Sequence, residues 1–273
     1  MHLDLAETFD TTTPIVGMVH LPALPGAPGF DGDREAICER AIADANALEA
    51  GGVDGLILEN FGDAPFYPED VPKHVVADMT AIATKVVEAV SVPVGINILR
   101  NDAAAALSVA AAAGAEFVRV NVHTGAAATD QGVLEGRAHE TLRLRERLEA
   151  DVAILADVHV KHATPAGEGS IERAARETVE RGRADGVIVS GPGTGEETDL
   201  EDLRAVAQTA EGLERSIPVF VGSGVTPETV ADVSEAGADG VIVGTALKEN
   251  GVTTNPVSEG RVRALLEAVE VQG

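Results

Sequence analysis

Titratable and amide side chains collect at the ends of short apolar runs in this chain: His20 in PIVGMVHL, Glu59 and Asn60 in VDGLILEN, and Asn97 in PVGINIL. Two further runs alternate strictly. FVRVNVH sets Arg119, Asn121 and His123 opposite Val118, Val120 and Val122, and AILADVHVK sets Asp157, His159 and Lys161 opposite Ile154, Ala156, Val158 and Val160. Period-two alternation is the signature of a β-strand, so each polar trio shares one face of its strand. Charges on an inward face are costly unless paired, and Arg119 with Asp157 is the expected ion pair. The chemistry on offer is proton transfer and charge stabilisation by Asp157, Glu59, His20 and His159. Asn60, Asn97, Arg119, Asn121, His123 and Lys161 are the groups expected to grip a substrate. Directly after His20, Pro22, Pro25 and Pro28 follow at a spacing of three, which ends the strand and predicts a stiff arm at the rim of a pocket.

These side chains can act together only if the elements bring the strand ends to one place. Eight short apolar runs, near 14–21, 53–60, 93–99, 117–123, 153–161, 186–190, 218–224 and 240–247, alternate with segments of helical periodicity such as DREAICERAIADANALEAG and SIERAARETVERG. A weak internal repeat, AGGVDGLIL, AGAEFVRV, GRADGVIV and AGADGVIV, marks re-entry from helix to strand. Eight such units in 273 residues predict one α/β domain, a closed (β/α)₈ TIM barrel spanning 1–273. Connections after the first, second and fourth strands are long, those before the strands are short, and function in such a barrel sits on the strand-to-helix face.

The last two strands run into GSGVTPE and GTALKE, placing Gly222, Ser223, Gly224, Gly244 and Thr245 where backbone N–H groups approach a phosphate in this fold. Thr226 is expected to cap a helix begun by Pro227. The SGPGTGEET loop adds Ser190 and Thr194 to the same ligand. Inorganic phosphate or a phosphoester is therefore the expected ligand. No cofactor is firmly implied; the histidines lack zinc spacing, so no metal ligands are assigned, while magnesium held by Glu59 or Asp157 with a substrate phosphate stays open.

Composition limits the partners. The formal charge of −25, from 45 acidic against 20 basic residues, repels nucleic acid and anionic membranes and fits adaptation to high salt. No segment has the length of a membrane span or a signal peptide, and the single cysteine, Cys38, fits a reducing cytosol, so a soluble cytoplasmic protein is expected. With 3% aromatic residues, anchors for a protein interface are few. The expected partner is a small-molecule substrate, with homo-oligomerisation open.

The stretches GMVHLPALPGAP, ENFGDAPF, PVGINILRND, FVRVNVHTGAAATDQGVLEG, ILADVHVKHA, SGPGTG and VGSGVT with ADGVIVGTALK resemble the BtpA family, named for a factor in photosystem I biogenesis. The resemblance runs from Pro14 to Lys248 and implies a TIM barrel; the family name describes a phenotype of one lineage. Two classes of function follow. An enzyme predicts a polar pocket over the first five strands and a phosphate site at the last two; an assembly factor predicts an exposed apolar patch. The residues favour an enzyme that transfers a glycosyl group to phosphate, as in nucleoside phosphorolysis, with a sugar-phosphate aldolase or isomerase as the alternative.

Overall fold

The computed structural model describes residues 3–167 and 169–270. In chain order the strands are β1 (Ile15–His20), β2 (Gly55–Glu59), β3 (Val94–Asn97), β4 (Phe117–Val120), β5 (Ala126–Thr129), β6 (Gly132–Glu135), β7 (Ala153–Val158), β8 (Ala163–Pro165), β9 (Gly186–Val189), β10 (Val219–Val221) and β11 (Gly240–Val243). Eight of them, β1, β2, β3, β4, β7, β9, β10 and β11, pair in parallel and close into a barrel, each beside its predecessor. The expected (β/α)₈ fold is present. The helices are α1 (Leu5–Phe9), α2 (Arg34–Gly51), α3 (Lys73–Ala89), α4 (Ala103–Ala113), α5 (Ala138–Arg147), α6 (Ile171–Glu180), α7 (Leu200–Glu211), α8 (Val230–Glu235) and α9 (Glu259–Glu270). Among the described residues, no helix is long and apolar enough to cross a membrane.

Local signals explain the boundaries. Asp33 and Asp102 accept the N–H groups of Ala36 and Ala105 and so begin α2 and α4, and Gly52 and Gly114 end these helices in the left-handed conformation. Thr226 caps the turn that Pro227 begins: its Oγ1 accepts from Glu228 N–H at 3.3 Å and its carbonyl from Val230 N–H at 3.0 Å, while regular α8 starts only at Val230.

The internal repeat has a physical meaning. Its acidic residue, Asp54, Glu116, Asp185 or Asp239, stands just before β2, β4, β9 or β11 and accepts an N–H from the first or second residue of the neighbouring strand: Ile15, Val94, Ile154 and Val219 respectively, at 2.7–3.0 Å. Each carboxylate ties the opening of one strand to the next, and hydrogen bonds to a charged acceptor contribute about 1.5–3 kcal/mol each. The barrel is thus pinned in pairs at the end remote from the loops that carry polar side chains.

Inside the barrel, Val16, Met18, Ile57, Phe117, Leu155, Ile188, Phe220 and Ile242 form a dry layer. Phe9, from α1, closes it from below, its ring 5.6 Å from that of Phe117 in an edge-on contact. Polar inward residues are therefore confined to the other end. There the connections after β4 and β7, which carry no strand pattern in the sequence, build a small antiparallel sheet, β6-β5-β8. It packs Val122, Ala127, Leu134 and Val160 into a separate apolar cluster.

Candidate functional site

Asp157 is the hub of the barrel mouth. Its carboxylate accepts from Arg119 Nε at 3.1 Å and Nη2 at 2.9 Å, from Asn121 Nδ2 at 2.9 Å, and from Ser190 Oγ at 2.9 Å. Strand parity puts Arg119 and Asp157 inside, on adjacent strands, as expected. With four donors on two oxygens and no side-chain exposure, Asp157 has no lone pair left for a substrate. It fixes the Arg119 guanidinium, whose pKa burial would lower but which the Asp157 and Glu59 charges hold above its usual value. Asn97 extends the network, donating to Asn121 Oδ1 at 3.1 Å and to the Arg119 carbonyl at 3.0 Å, while its own Oδ1 is buried without a partner among the described residues.

Beside this network lies a cleft of about 380 Å³, the size of a small-ligand site. His20, Arg119 and Lys161 form one wall, Gly222–Thr226 and Gly244–Ala246 the other, and Thr194 and Gly195 lean over it. Among the described residues, the backbone N–H groups of Ser223, Gly224, Val225, Gly244, Thr245 and Ala246 have no protein acceptor, whereas that of Gly222 donates to the Val189 carbonyl at 2.9 Å and so belongs to the barrel ladder. Six unsatisfied donors on two strand ends form a cradle for an anion. A side chain at Gly244 would bring its Cβ 2.9 Å from His20 Cε1, so the glycine permits the imidazole to lie against the cradle.

His20 is 7% exposed, with Nε2 3.7 Å from Glu59 Oε1 and its ring 4.8 Å from that of Phe61. Burial first, then the charges of Lys248 and Lys161, drive its pKa well below the usual histidine value, so the imidazole is neutral. Glu59 sits behind it, 2% exposed, with no hydrogen-bond donor among the described residues. A pH effect follows. The folded-state pKa of His20 lies below the unfolded value of 6.5, so the unfolded chain binds the proton first; the stability of the neutral form is complete above that pH and is lost as pH falls below it. Urea midpoints measured between pH 7.5 and 5.5 should fall for the native protein and fall less for His20→Gln. Parallel slopes would remove His20 from the acid sensitivity.

Several expected residues are deployed elsewhere. Asn60 grips protein rather than ligand: its Oδ1 accepts from Leu99 N–H at 2.7 Å and its Nδ2 donates to Asp63 at 2.9 Å. Asp63 in turn accepts from Leu24 N–H at 2.7 Å, which anchors the proline arm. His123 does not face the barrel interior; Nε2 lies 2.8 Å from the Gly182 carbonyl, since β4 ends at Val120 and the alternation lapses beyond Asn121. His159 also leaves the inner face. It follows the end of β7 with φ +55°, its pKa is lowered by burial against a smaller opposing effect of Asp202, and it lines a separate pocket with Thr124 and Arg173. Ser190 joins the Asp157 network rather than the cradle. The Ser223 hydroxyl is committed to the loop over the cleft, accepting from Gly191 N–H and donating to the Glu196 carbonyl, each at 3.2 Å. Gly224 serves that loop too: at φ +73° a Cβ in its place would collide with the Glu196 carbonyl oxygen.

Arg100, His162 and Lys248 also stand near the mouth, and sequence reasoning assigns them no place there. Arg100 is 4% exposed and donates to the Lys161 carbonyl at 2.6 Å. His162 Nε2 accepts from Thr194 N–H at 3.2 Å. Lys248, fully buried, lies 3.5 Å from Asp44, and burial brings its pKa down to about 8. None falls on a strand face, and periodicity therefore gives no signal. Of the two carboxylates considered for magnesium, Asp157 has both oxygens taken by protein donors, whereas Glu59 has none among the described residues.

Comparisons with known proteins agree with this geometry in fold. The chain superimposes on phosphoribosyl anthranilate isomerase from Thermus thermophilus with a TM-score of 0.59 at 13% identity, covering 95% of this chain and 100% of that one. It superimposes on thiamine phosphate pyrophosphorylase from Pyrococcus furiosus with a TM-score of 0.58 at 15% identity, covering 96% and 98%. In sequence it is 49% identical over 267 residues to the photosystem I biogenesis protein BtpA of Synechocystis, covering 98% of this chain and 91% of that protein. It is 48% identical over 253 residues to an uncharacterised protein of Pyrococcus furiosus, covering 93% of each. The BtpA family model matches residues 11–271. With that span and that identity, the chain belongs to the BtpA family.

Proposed function

We propose that the chain is a cytoplasmic enzyme that binds phosphate in the cleft and transfers a glycosyl group to it, cleaving the N-glycosidic bond of a nucleoside. The observation that carries this reading is the cradle of six free N–H groups facing His20, Arg119 and Lys161 across one cleft. An oxygen of hydrogen phosphate attacks the anomeric carbon, the C–N bond breaks, and the base leaves with the bonding electrons and takes up the proton that the phosphate gives up. Positive charge builds on the sugar in the transition state. Glu59 is suited to stabilise it, because its charge, unlike that of Asp157, is not consumed by protein donors among the described residues. The neutral His20 at the wall is placed to exchange the proton of the leaving base.

Several structural neighbours are named for phosphate-bearing compounds, among them thiamine phosphate and phosphoribosyl anthranilate, which supports phosphate recognition on this scaffold. One observation favours a sugar-phosphate lyase or isomerase instead: the Lys161 amine enters the cleft with no acceptor among the described residues. An assembly role, suggested by the name of the Synechocystis relative, calls for a contiguous apolar face, whereas among the described residues the large exposed apolar side chains, Tyr67, Val133, Leu148 and Val252, come from four separate segments. Incubation with nucleosides in concentrated salt, followed by chromatography, tests the proposal. Base release that requires phosphate and yields equimolar sugar 1-phosphate is expected; no release, with turnover of a sugar phosphate, overturns it.

A further inference from the structure

We infer that Lys161 supplies the counter-charge to the phosphate held at the cradle, so that the cleft selects dianionic phosphate, either inorganic phosphate or a phosphomonoester, over a phosphodiester. This rests on the reading of the cradle as a phosphate site, and it names the cation that completes that site.

Most cations around the mouth are already engaged. Arg119 is spent on Asp157, Arg100 donates to the Lys161 carbonyl, and Lys248 faces Asp44. Lys161 differs: no acceptor among the described residues lies within hydrogen-bonding distance of its Nζ, although the side chain lines the cleft. An ammonium drawn partly out of water without a partner is costly, and an anion in the cleft removes that cost. Burial and the charges of Arg119 and Arg100 oppose its protonated form, while Glu59 and Asp157 favour it. A bound dianion shifts the balance toward the charged form.

The backbone holds Lys161 in place from both sides. Its carbonyl accepts from Arg100, and the next residue, His162, donates its N–H to the Pro192 carbonyl at 2.9 Å and receives the Thr194 N–H on Nε2. Thr194 and Gly195 thereby reach over the cleft, where a Cβ on Gly195 would lie 3.4 Å from Thr245 Oγ1. The same short segment therefore delivers the ammonium to one wall and fastens the loop that approaches the other. The remaining charged residues lining the cleft, Glu228 and Arg261, are of opposite sign, and the Arg261 Nε is taken by the Ala246 carbonyl at 2.7 Å. Arg261 is exposed to solvent, so among the described residues Lys161 is the cation that enters the cleft partly buried and without an acceptor.

Calorimetric titration of the purified protein with inorganic phosphate tests this. Lys161→Gln should weaken phosphate binding by about tenfold or more, as expected for loss of a charge-assisted contact, while Lys161→Arg stays within a few-fold of the native value. Matching urea midpoints for both variants would show that the fold is intact. Methyl phosphate should bind about as well as inorganic phosphate, and dimethyl phosphate, a monoanionic diester, should not compete. Equal phosphate affinity in native protein and Lys161→Gln, or competition by the diester, overturns the inference. So does borohydride reduction that fixes dihydroxyacetone phosphate to Lys161, which would make the amine a nucleophile. Failure of the native protein itself to bind phosphate would instead reject the cradle.

Discussion

Arg119→Met is expected to lower the unfolding free energy by about 3–5 kcal/mol, the usual cost of breaking a buried ion pair from one side. The substitution preserves much of the aliphatic volume, so the loss is not a cavity effect. It strands the Asp157 carboxylate in a site where it has no side-chain exposure, with only Asn121 and Ser190 still donating. The measurement is urea unfolding at neutral pH, run with Asp157→Leu and with the double variant. The double variant should recover part of the loss, because it removes the uncompensated charge along with its partner. Additive losses would show that the two charges are not coupled, and Asp157 would then no longer serve as the anchor of the Arg119 guanidinium.

Glu59→Gln is expected to reduce phosphate-dependent base release by about 100-fold or more in kcat, within the range by which single electrostatic and acid–base groups act in transition states. The amide is isosteric, and Glu59 has no protein donor to lose among the described residues, so the fold should tolerate the change. Phosphate binding should hold or tighten slightly, since a negative charge near the anion is removed. The split is diagnostic: a fall in kcat with preserved phosphate affinity marks charge stabilisation of the sugar, whereas a weaker affinity with unchanged kcat would assign Glu59 to ground-state packing around His20.

Part of this arrangement is legible in the amino-acid sequence. Arg119 and Asp157 can be paired from alternation alone because both lie within regular strands, β4 and β7, where side chains swing by half a turn at each residue. The parity fails for His123 and His159 because each lies past the last laddered residue of its strand, and at His159 a left-handed backbone turns the side chain away. Asn60 resembles a ligand group for the opposite reason. It is at the mouth, yet its amide braces Asp63 and satisfies the Leu99 N–H, a partner 39 residues away that no local pattern connects.

The barrel itself follows from local pattern. Eight β-branched runs spaced by helical segments favour a closed barrel at this length over an open doubly wound sheet, and the carboxylate repeated before β2, β4, β9 and β11 encodes its register, since each meets an N–H at the start of a neighbour. The glycines of the last two strand ends are located by the same pattern. Which polar groups are spent on the protein and which are left over is settled by the packed loops instead. Asp157, Asn60, Ser190 and the Ser223 hydroxyl are satisfied internally; the six cradle N–H groups and the Lys161 amine have no partner among the described residues. That distinction depends on contacts between loops distant in sequence, such as His162 with Thr194 and Gly224 with Glu196, and hydrogen-bond satisfaction is a property of the assembled set rather than of any residue type.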